Sequence, residues 1–370
     1  MTSSIVDLVD YHLKARHTPG ALVHVERAGQ VLARVVAGRI RPDDEAPLHE
    51  GVRFRMASLT KPVVTVAALM LVDEGRLELD TPVGDVLPVL RDLQGPGGQR
   101  PRAAPTVRDL MRHTTGLAYP YEVADPAVRA AWTQAGVGPG SSGQAPADFL
   151  LRLTRVPLAA EPGTRFQYGY STDVLGCIVE QLDGMPLAQA LQRRLFGPLG
   201  MGHTSFDEVE GEATPRAHAD DVQWHAMVPP IGRRQPGQVR RDSGGGGLIS
   251  TLDDYLAFAR VLARGGVAGG QRLLSERLFA ELSRDQLPDP GDGPAGYCGA
   301  GFGFGLGLAV RRDWGPSAMP CSAGELTWSG ISGTALFVHP REQWVALMFS
   351  ANMASRMMAR MEFRRAAGRV

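Results

Sequence analysis

Lysine is all but missing from this 370-residue chain: it stands only at Lys14 and Lys61, and the other 37 of the 39 basic residues are arginine. Each lysine therefore invites a reason why arginine would fail there. Arginine cannot give up its proton in a protein, whereas a buried lysine can. Cysteine is scarce as well. Cys177, Cys298 and Cys321 are odd in number and far apart, which argues against a disulfide framework and fits reduced structural thiols. None lies in a CxxC or Cys/His cluster, and the histidines show no HxxxH spacing, so neither a metal nor another cofactor is expected. Net charge is absent, with 39 acidic residues against 39 basic ones. That makes nucleic acid and anionic membrane poor partners. No apolar run reaches membrane-spanning length. The first twenty residues lack the positive start, apolar core and small-residue cleavage site of a secretory signal, so the cytoplasm is the expected location.

What is present is an ordinary globular composition, 44% hydrophobic and 21% charged, in a chain longer than one core usually sustains. Residues 3–16 have the period of an amphipathic helix, with Ile5, Leu8, Val9 and His12 on one side. Residues 20–28 and 31–39 alternate as an antiparallel hairpin about Gly29-Gln30. Residues 60–74 form a helix that is apolar all round, hence buried, and stops at Gly75. Pro62 is tolerated only in a first turn, which puts the helix start near Ser58. Short helices are expected at 106–113, 126–135, 147–154, 172–183 and 186–195, with loops at 93–105, 133–146 and 210–241. Helices at 251–264 and 275–284 precede strand-like runs at 302–311, 332–338 and 343–350, and a helix at 354–366 closes the chain. Strands at both ends and helices between them indicate a sheet built from the two termini with a helical insertion.

Three segments could carry chemistry. Ser58-Leu-Thr-Lys61 sets a hydroxyl and an amine on one helix face, one turn apart. The helix N-terminus supplies free N–H groups and partial positive charge, and burial lowers a lysine pKa further, so a neutral amine could take the serine proton. Taken alone, the motif is more readily read as a capping serine with a surface lysine. A turn at 161–167 delivers Tyr168 ahead of a helix, and a phenol beside a lysine can relay a proton; a packing tyrosine is the plainer alternative. Trp328-Ser329-Gly330-Ile331 puts small residues at a strand start, where a ligand could approach the backbone and an N–H could face an oxyanion. Its structural alternative is a strand entry with ordinary glycines. No GxSxG elbow exists, and His113 is expected to order the loop at Thr114 and Thr115 rather than to act as a base.

In this order and spacing the three segments resemble the serine β-lactamase and penicillin-binding protein superfamily, most closely class C β-lactamases and family VIII carboxylesterases. Arg112-His113-Thr114-Thr115-Gly116-Leu117, Pro198-Leu199-Gly200-Met201, and Gly244 to Thr251 with Asp254 extend the likeness over residues 15–350. The resemblance implies an α+β fold of α/β sandwich type. An antiparallel sheet flanked by helices would come from residues 1–80 and 240–370, a mainly helical domain from 81–239, with the active site between them. It implies Ser58 as acylated nucleophile, Lys61 as its general base, and Tyr168 as the tyrosine of the Tyr-x-Asn element. The backbone N–H groups of Ser58 and Ile331 would form the oxyanion hole, and Trp328-Ser329-Gly330 stands in place of Lys-Thr-Gly.

Two departures matter. Tyr170 stands where β-lactamases usually have asparagine, and Trp328 where they usually have lysine. Tryptophan has one N–H donor and no charge, so an anionic antibiotic should bind less well. Esterases of the superfamily often carry tryptophan there. The expectation is a serine carboxylesterase acting on small or medium apolar esters, with Tyr170, Trp328, Ser329 and Gly330 contacting substrate. β-Lactam hydrolysis, D-amino acid amide or peptide hydrolysis and acyl transfer are alternatives on the same site, and a non-catalytic penicillin-binding-like module is the alternative of another class. Tyr119, Tyr121, Trp132, Trp224 and Phe302 are further aromatics in candidate site-lining loops.

Overall fold

The computed structural model describes residues 4–137, 144–228, 234–235, 237–289, 291–317 and 320–370. The first helix runs Ile5–Lys14, capped by Ser4 and burying Ile5, Val9 and His12. Strands β1 (Gly20–Arg27) and β2 (Gln30–Gly38) follow as the expected hairpin. Its turn falls one residue early, at Ala28-Gly29, where both residues take positive φ as a tight hairpin turn requires. Strand β3 (Phe54–Arg55) pairs with β4 (Ile249–Ser250), and β5 (Val267–Ala268) with β6 (Gln271–Arg272). Near the C-terminus come β7 (Phe302–Phe304), β8 (Ala309–Arg311), β9 (Leu326–Ser329), β10 (Ala335–His339) and β11 (Trp344–Ser350). Seven strands form one antiparallel sheet in the order β2-β1-β11-β10-β9-β8-β7. The first two strands thus meet the last through the β1–β11 pair, across which Val25 faces Ala346 and Leu22 faces Phe349.

All seven residues of β11 are buried, as a strand covered on both faces must be. The helices Leu252–Ala263 and Arg356–Ala367 both pack on it. The central helix, Thr60–Asp73, buries eleven of its residues from Thr60 to Leu71 and ends before Gly75, whose φ is +69°. It packs against the helix Ser171–Asp183. Among the described residues, 81–239 adds no strand to the sheet and holds helices.

Three expectations change. The run 302–311 is two strands, because Gly305–Gly307 turns the chain; a Cβ on Gly307 would lie 2.5 Å from Thr65 Oγ1, so only glycine lets this tip close on the central helix. Trp328 lies near the end of β9 instead of a strand start, since β9 is a four-residue strand entering from Leu326. The loop at 210–241 contains a helix, Val222–Met227, whose start is capped by Asp221 accepting from the Trp224 N–H at 3.0 Å. Six residues are too few to show a helical period in sequence. The loop readings at 138–143 and 229–233 lie outside the described residues.

Candidate active site

Ser58 sits where β3 ends and a single 3₁₀ turn, Ala57–Leu59, feeds the central helix. Several bonds clamp this junction. Met56 N–H donates to Leu248 O at 2.8 Å, Ser332 Oγ to Arg55 O at 2.5 Å, and Thr334 Oγ1 to Met56 O at 3.1 Å. Tyr255 OH holds Leu59 O at 2.8 Å. Ala57 adopts φ +46°, a left-handed conformation that costs a non-glycine residue about 1–2 kcal/mol and is over-determined here by its neighbours. Gly330 is needed for the same clamp: a Cβ there would lie 2.4 Å from Met56 O.

Lys61 lies one turn on, wholly buried. Its Nζ is 2.7 Å from Gly245 O, 3.1 Å from Tyr119 OH and 3.3 Å from Ser58 Oγ. Among the described residues no carboxylate lies within ion-pair distance of it. Burial pulls its pKa from 10.5 down to about 7, against a weaker upward pull from Asp173. On the other side of Ser58, Tyr168 OH donates to Ser58 Oγ at 2.7 Å, and Trp328 Nε1 donates to Tyr168 OH at 3.3 Å. Burial holds the Tyr168 phenol well above its ordinary range, so it stays protonated. The Lys61 ammonium nitrogen also lies 4.6 Å from the Tyr168 ring centroid. Nitrogen, hydroxyl and phenol therefore form one unbroken chain with Ser58 at its centre.

His113 is fully buried behind this chain, its ring 4.9 Å from that of Tyr168. Burial, then the Lys61 charge, drive its pKa well below 6.5, so it is neutral. Its carbonyl accepts from Gln167 N–H at 2.7 Å, which fixes the turn that delivers Tyr168. The expectation that His113 orders the Thr114 and Thr115 segment therefore understates it: His113 also supports Tyr168. Asp254 lies in the first turn of Leu252–Ala263 and ties in His203 N and Thr204 Oγ1 at 2.7 and 2.8 Å.

A cleft of about 510 Å³ opens over Ser58. Tyr119, Tyr121, Tyr168, Tyr170, Tyr297 and Trp328 make one aromatic wall, and Met227, Val228 and Met353 add aliphatic surface. Ser329 and Ile331 face it as well. Of the aromatics anticipated from sequence, Trp132 stacks behind Tyr170 at 5.8 Å, Trp224 lines a neighbouring cleft, and Phe302 belongs to the core. Tyr170 presents its ring, but its hydroxyl is buried with no hydrogen-bond partner among the described residues.

Tyr119 is the residue whose role sequence reasoning missed. It was one aromatic among several, and only the structure brings its hydroxyl to Lys61. Gly245 was missed too, although four successive glycines signal a close approach: a Cβ there would lie 2.2 Å from Asp173 Oδ2 and 3.1 Å from Tyr119 OH. A further correction concerns charge. Trp328 does remove one cation, yet Arg356 and Arg360 of the last helix also line the cleft, so it is not without positive charge. Among the described residues no cluster of three His, Cys, Asp or Glu side chains could hold a metal, and no helix is long and apolar enough to cross a membrane.

A family model described as Beta-lactamase matches residues 5–369. The chain belongs to the beta-lactamase family. Esterase EstB from Burkholderia gladioli is 34% identical over 361 residues, covering 89% of this chain and 85% of that one. The acyltransferase calJ from Penicillium decumbens is 33% identical over 67% of this chain and 60% of its own. Among solved structures, EstCE1, described as a hydrolase with promiscuous acyltransferase activity, superposes with a TM-score of 0.81 at 26% identity, covering 97% of this chain and 96% of that one. The chain is thus a hydrolase of the beta-lactamase family, with the α+β fold of that family and of the penicillin-binding proteins.

Proposed function

We propose that this protein is a carboxylesterase that works through an acyl-enzyme on Ser58. The observation that carries the proposal is the buried Lys61, without an ion-pair partner among the described residues and within hydrogen-bond reach of Ser58, a serine that Tyr168 grips from the other side. A lysine with a pKa near neutrality is a competent general base. Gly245 O takes one Lys61 N–H; with Tyr119 OH accepting a second, the nitrogen lone pair faces Ser58 Oγ. Lys61 removes the Ser58 proton as Oγ attacks the ester carbonyl. The N–H groups of Ser58 and Ile331 stabilise the oxyanion. As the C–O bond breaks, Tyr168 gives its proton to the departing alcohol oxygen and is reprotonated from Lys61. Water then repeats the sequence on the acyl-enzyme, releasing the acid. Ser58, Lys61 and Tyr168 are the catalytic residues of this scheme; Tyr170, Trp328 and Ser329 shape the substrate wall, whereas Gly330 closes on Met56 O behind it instead of lining the cleft.

Ester over β-lactam is supported by Trp328, whose single N–H is already engaged with Tyr168, and by the similarity to EstB. Acyl transfer to an alcohol is the second reading, supported by the names of EstCE1 and calJ. The test is turnover of nitrophenyl esters of increasing acyl length beside a chromogenic cephalosporin, with and without added alcohol. Ester turnover lost in Ser58→Ala, together with loss of fluorophosphonate labelling, is expected. Labelling that persists at another residue refutes the nucleophile, dominant cephalosporin cleavage refutes the ester preference, and a transesterified product exceeding free acid establishes transfer. Lys61→Arg is expected to be nearly as inactive as Ser58→Ala, because arginine cannot serve as the base.

A further inference from the structure

Three acids line the cleft. Asp173 is paired with Arg241 and Asp242 with Arg234. Glu122 has no cation within ion-pair distance among the described residues; its carboxylate accepts a hydrogen bond from the Tyr297 hydroxyl. Burial, then this carboxylate, hold the Tyr297 phenol well above its ordinary range, so it stays the donor. The two partners come from opposite walls. Glu122 ends the single turn Pro120–Glu122, next to Tyr121, whose ring stacks on that of Tyr119 at 5.4 Å, and Tyr119 touches Lys61. Tyr297 lies on the four-residue helix Ala295–Cys298, its ring 4.7 Å from that of Tyr168 and 5.6 Å from that of Trp328. The bond therefore runs from the Lys61 wall to the Tyr168 wall, across the cleft that opens over Ser58.

The segment that carries Tyr297 is held at its ends and little between them. Five of its residues from Gly291 to Gly301 are glycine. Asp292 O accepts from Arg312 Nη2 at 2.8 Å, and Gly301 O accepts from the Arg312 N–H at 3.0 Å and from Arg311 Nη1 at 2.8 Å. Between these pins the backbone bonds are internal, from the N–H groups of Tyr297 and Cys298 to Pro294 O and from that of Gly299 to Ala295 O. Among the described residues, the one side-chain hydrogen bond that leaves this stretch is Tyr297 to Glu122. A short turn with fixed ends and a single tie at its tip can open without disturbing the sheet. Tyr297 roofs Tyr168, which in the scheme above protonates the departing alcohol, so the tie covers the alcohol half.

We propose that the Tyr297–Glu122 bond is a latch over the alcohol side of Ser58: closed, it admits esters of small primary alcohols, and bulky cyclic alcohols enter only when it opens. The side assignment rests on the esterase reading; the latch itself does not. The test compares ethyl with cyclohexyl butyrate, following acid release, in the wild-type protein, Glu122→Ala, Tyr297→Phe and the double variant. The cyclohexyl-to-ethyl ratio of kcat/KM is expected to rise roughly tenfold in each single variant, the scale of a charge-assisted hydrogen bond, and no further in the double variant, because both changes break the same bond. A ratio unchanged in either single variant, or single effects that multiply in the double one, overturns the latch, since two side chains that merely pack would act separately. Hydrogen exchange reads the same tie without turnover. Residues 294–300 should exchange their amide protons roughly tenfold faster in Glu122→Ala than in the wild-type protein, with the central helix unchanged. Equal exchange overturns the latch; faster exchange in a protein that cleaves neither ester keeps the latch and removes only the side assignment.

Discussion

Lys61 should make this protein less stable in the pH range where the amine is charged, and replacing it should reveal by how much. Its folded pKa is about 7, against an ordinary value of 10.5 in the unfolded chain. At about 1.4 kcal/mol per pH unit, that difference opposes folding by about 5 kcal/mol wherever both states are protonated, below pH 7. Between pH 7 and 10.5 the unfolded chain holds a proton that the folded chain has released, so stability rises with pH across that window. Lys61→Met removes the charge but leaves Gly245 O without its donor, a loss of about 1–3 kcal/mol. The net gain near pH 6 is then about 2–4 kcal/mol. For a chain of this length, with an unfolding entropy of about 2 cal/mol/K per residue, that is a Tm increase of about 3–5 °C. By pH 10 the gain should vanish or reverse, because only the lost hydrogen bond remains. Scanning calorimetry of both proteins at pH 6, 8 and 10 reads this directly. A Tm difference of constant size, or one that grows with pH, refutes the buried ammonium. The kinetic counterpart is an acid limb of kcat/KM near pH 7, rising to a plateau as Lys61 loses its proton; a flat profile between pH 5 and 9 would remove Lys61 as the base. His113 cannot supply a limb near pH 7, since burial holds its pKa well below 6.5.

Three further outcomes follow from the same geometry. Tyr119→Phe deletes the hydroxyl 3.1 Å from Lys61 Nζ, and should lower kcat roughly tenfold or more and displace the acid limb while leaving KM nearly unchanged; an unaltered pH profile would mean that Tyr119 only packs. Gly245→Ala places a methyl 2.2 Å from Asp173 Oδ2, so the backbone carrying the Lys61 acceptor must move, and the variant should lose activity by on the order of 100-fold with its fold intact by circular dichroism. Tyr170→Phe removes a buried hydroxyl that has no partner, and should stabilise the protein by about 1 kcal/mol in chemical denaturation; destabilisation would show that the hydroxyl has a partner in solution.

Much of the fold could be read from sequence because its elements have long, regular patterns. The β1–β2 hairpin alternates, and the central helix is apolar on every side and bounded by Pro62 and Gly75. The features that escaped are short: β9 has four residues, the helix at Val222 six, and the turn that divides the run 302–311 into β7 and β8 is only a few residues long. A period needs more residues than these to declare itself. The nucleophile segment was legible for a different reason, since Ser58 and Lys61 interact within one helical turn and need no distant partner to be brought together. Tyr119, Gly245 and the pair Arg356 and Arg360 reach the cleft from three other stretches of chain, and nothing local marks a tyrosine or an arginine as destined for it.

The near absence of lysine turns out to separate two kinds of cation in this molecule. Lys14 is an exposed residue in the last turn of the first helix, where any cation complements the helix dipole. Lys61 is fully buried and, among the described residues, has no carboxylate within ion-pair distance. An arginine at that position would stay charged at any pH and could be tolerated only by adding a partner acid, as Arg241 has Asp173 and Arg364 has Glu325. Among the described residues, each buried arginine is held by an acid or, for Arg360, by a hydroxyl and a thioether. The chemistry proposed for Ser58 is the one task that requires a cation able to become neutral, and it coincides with the one buried lysine.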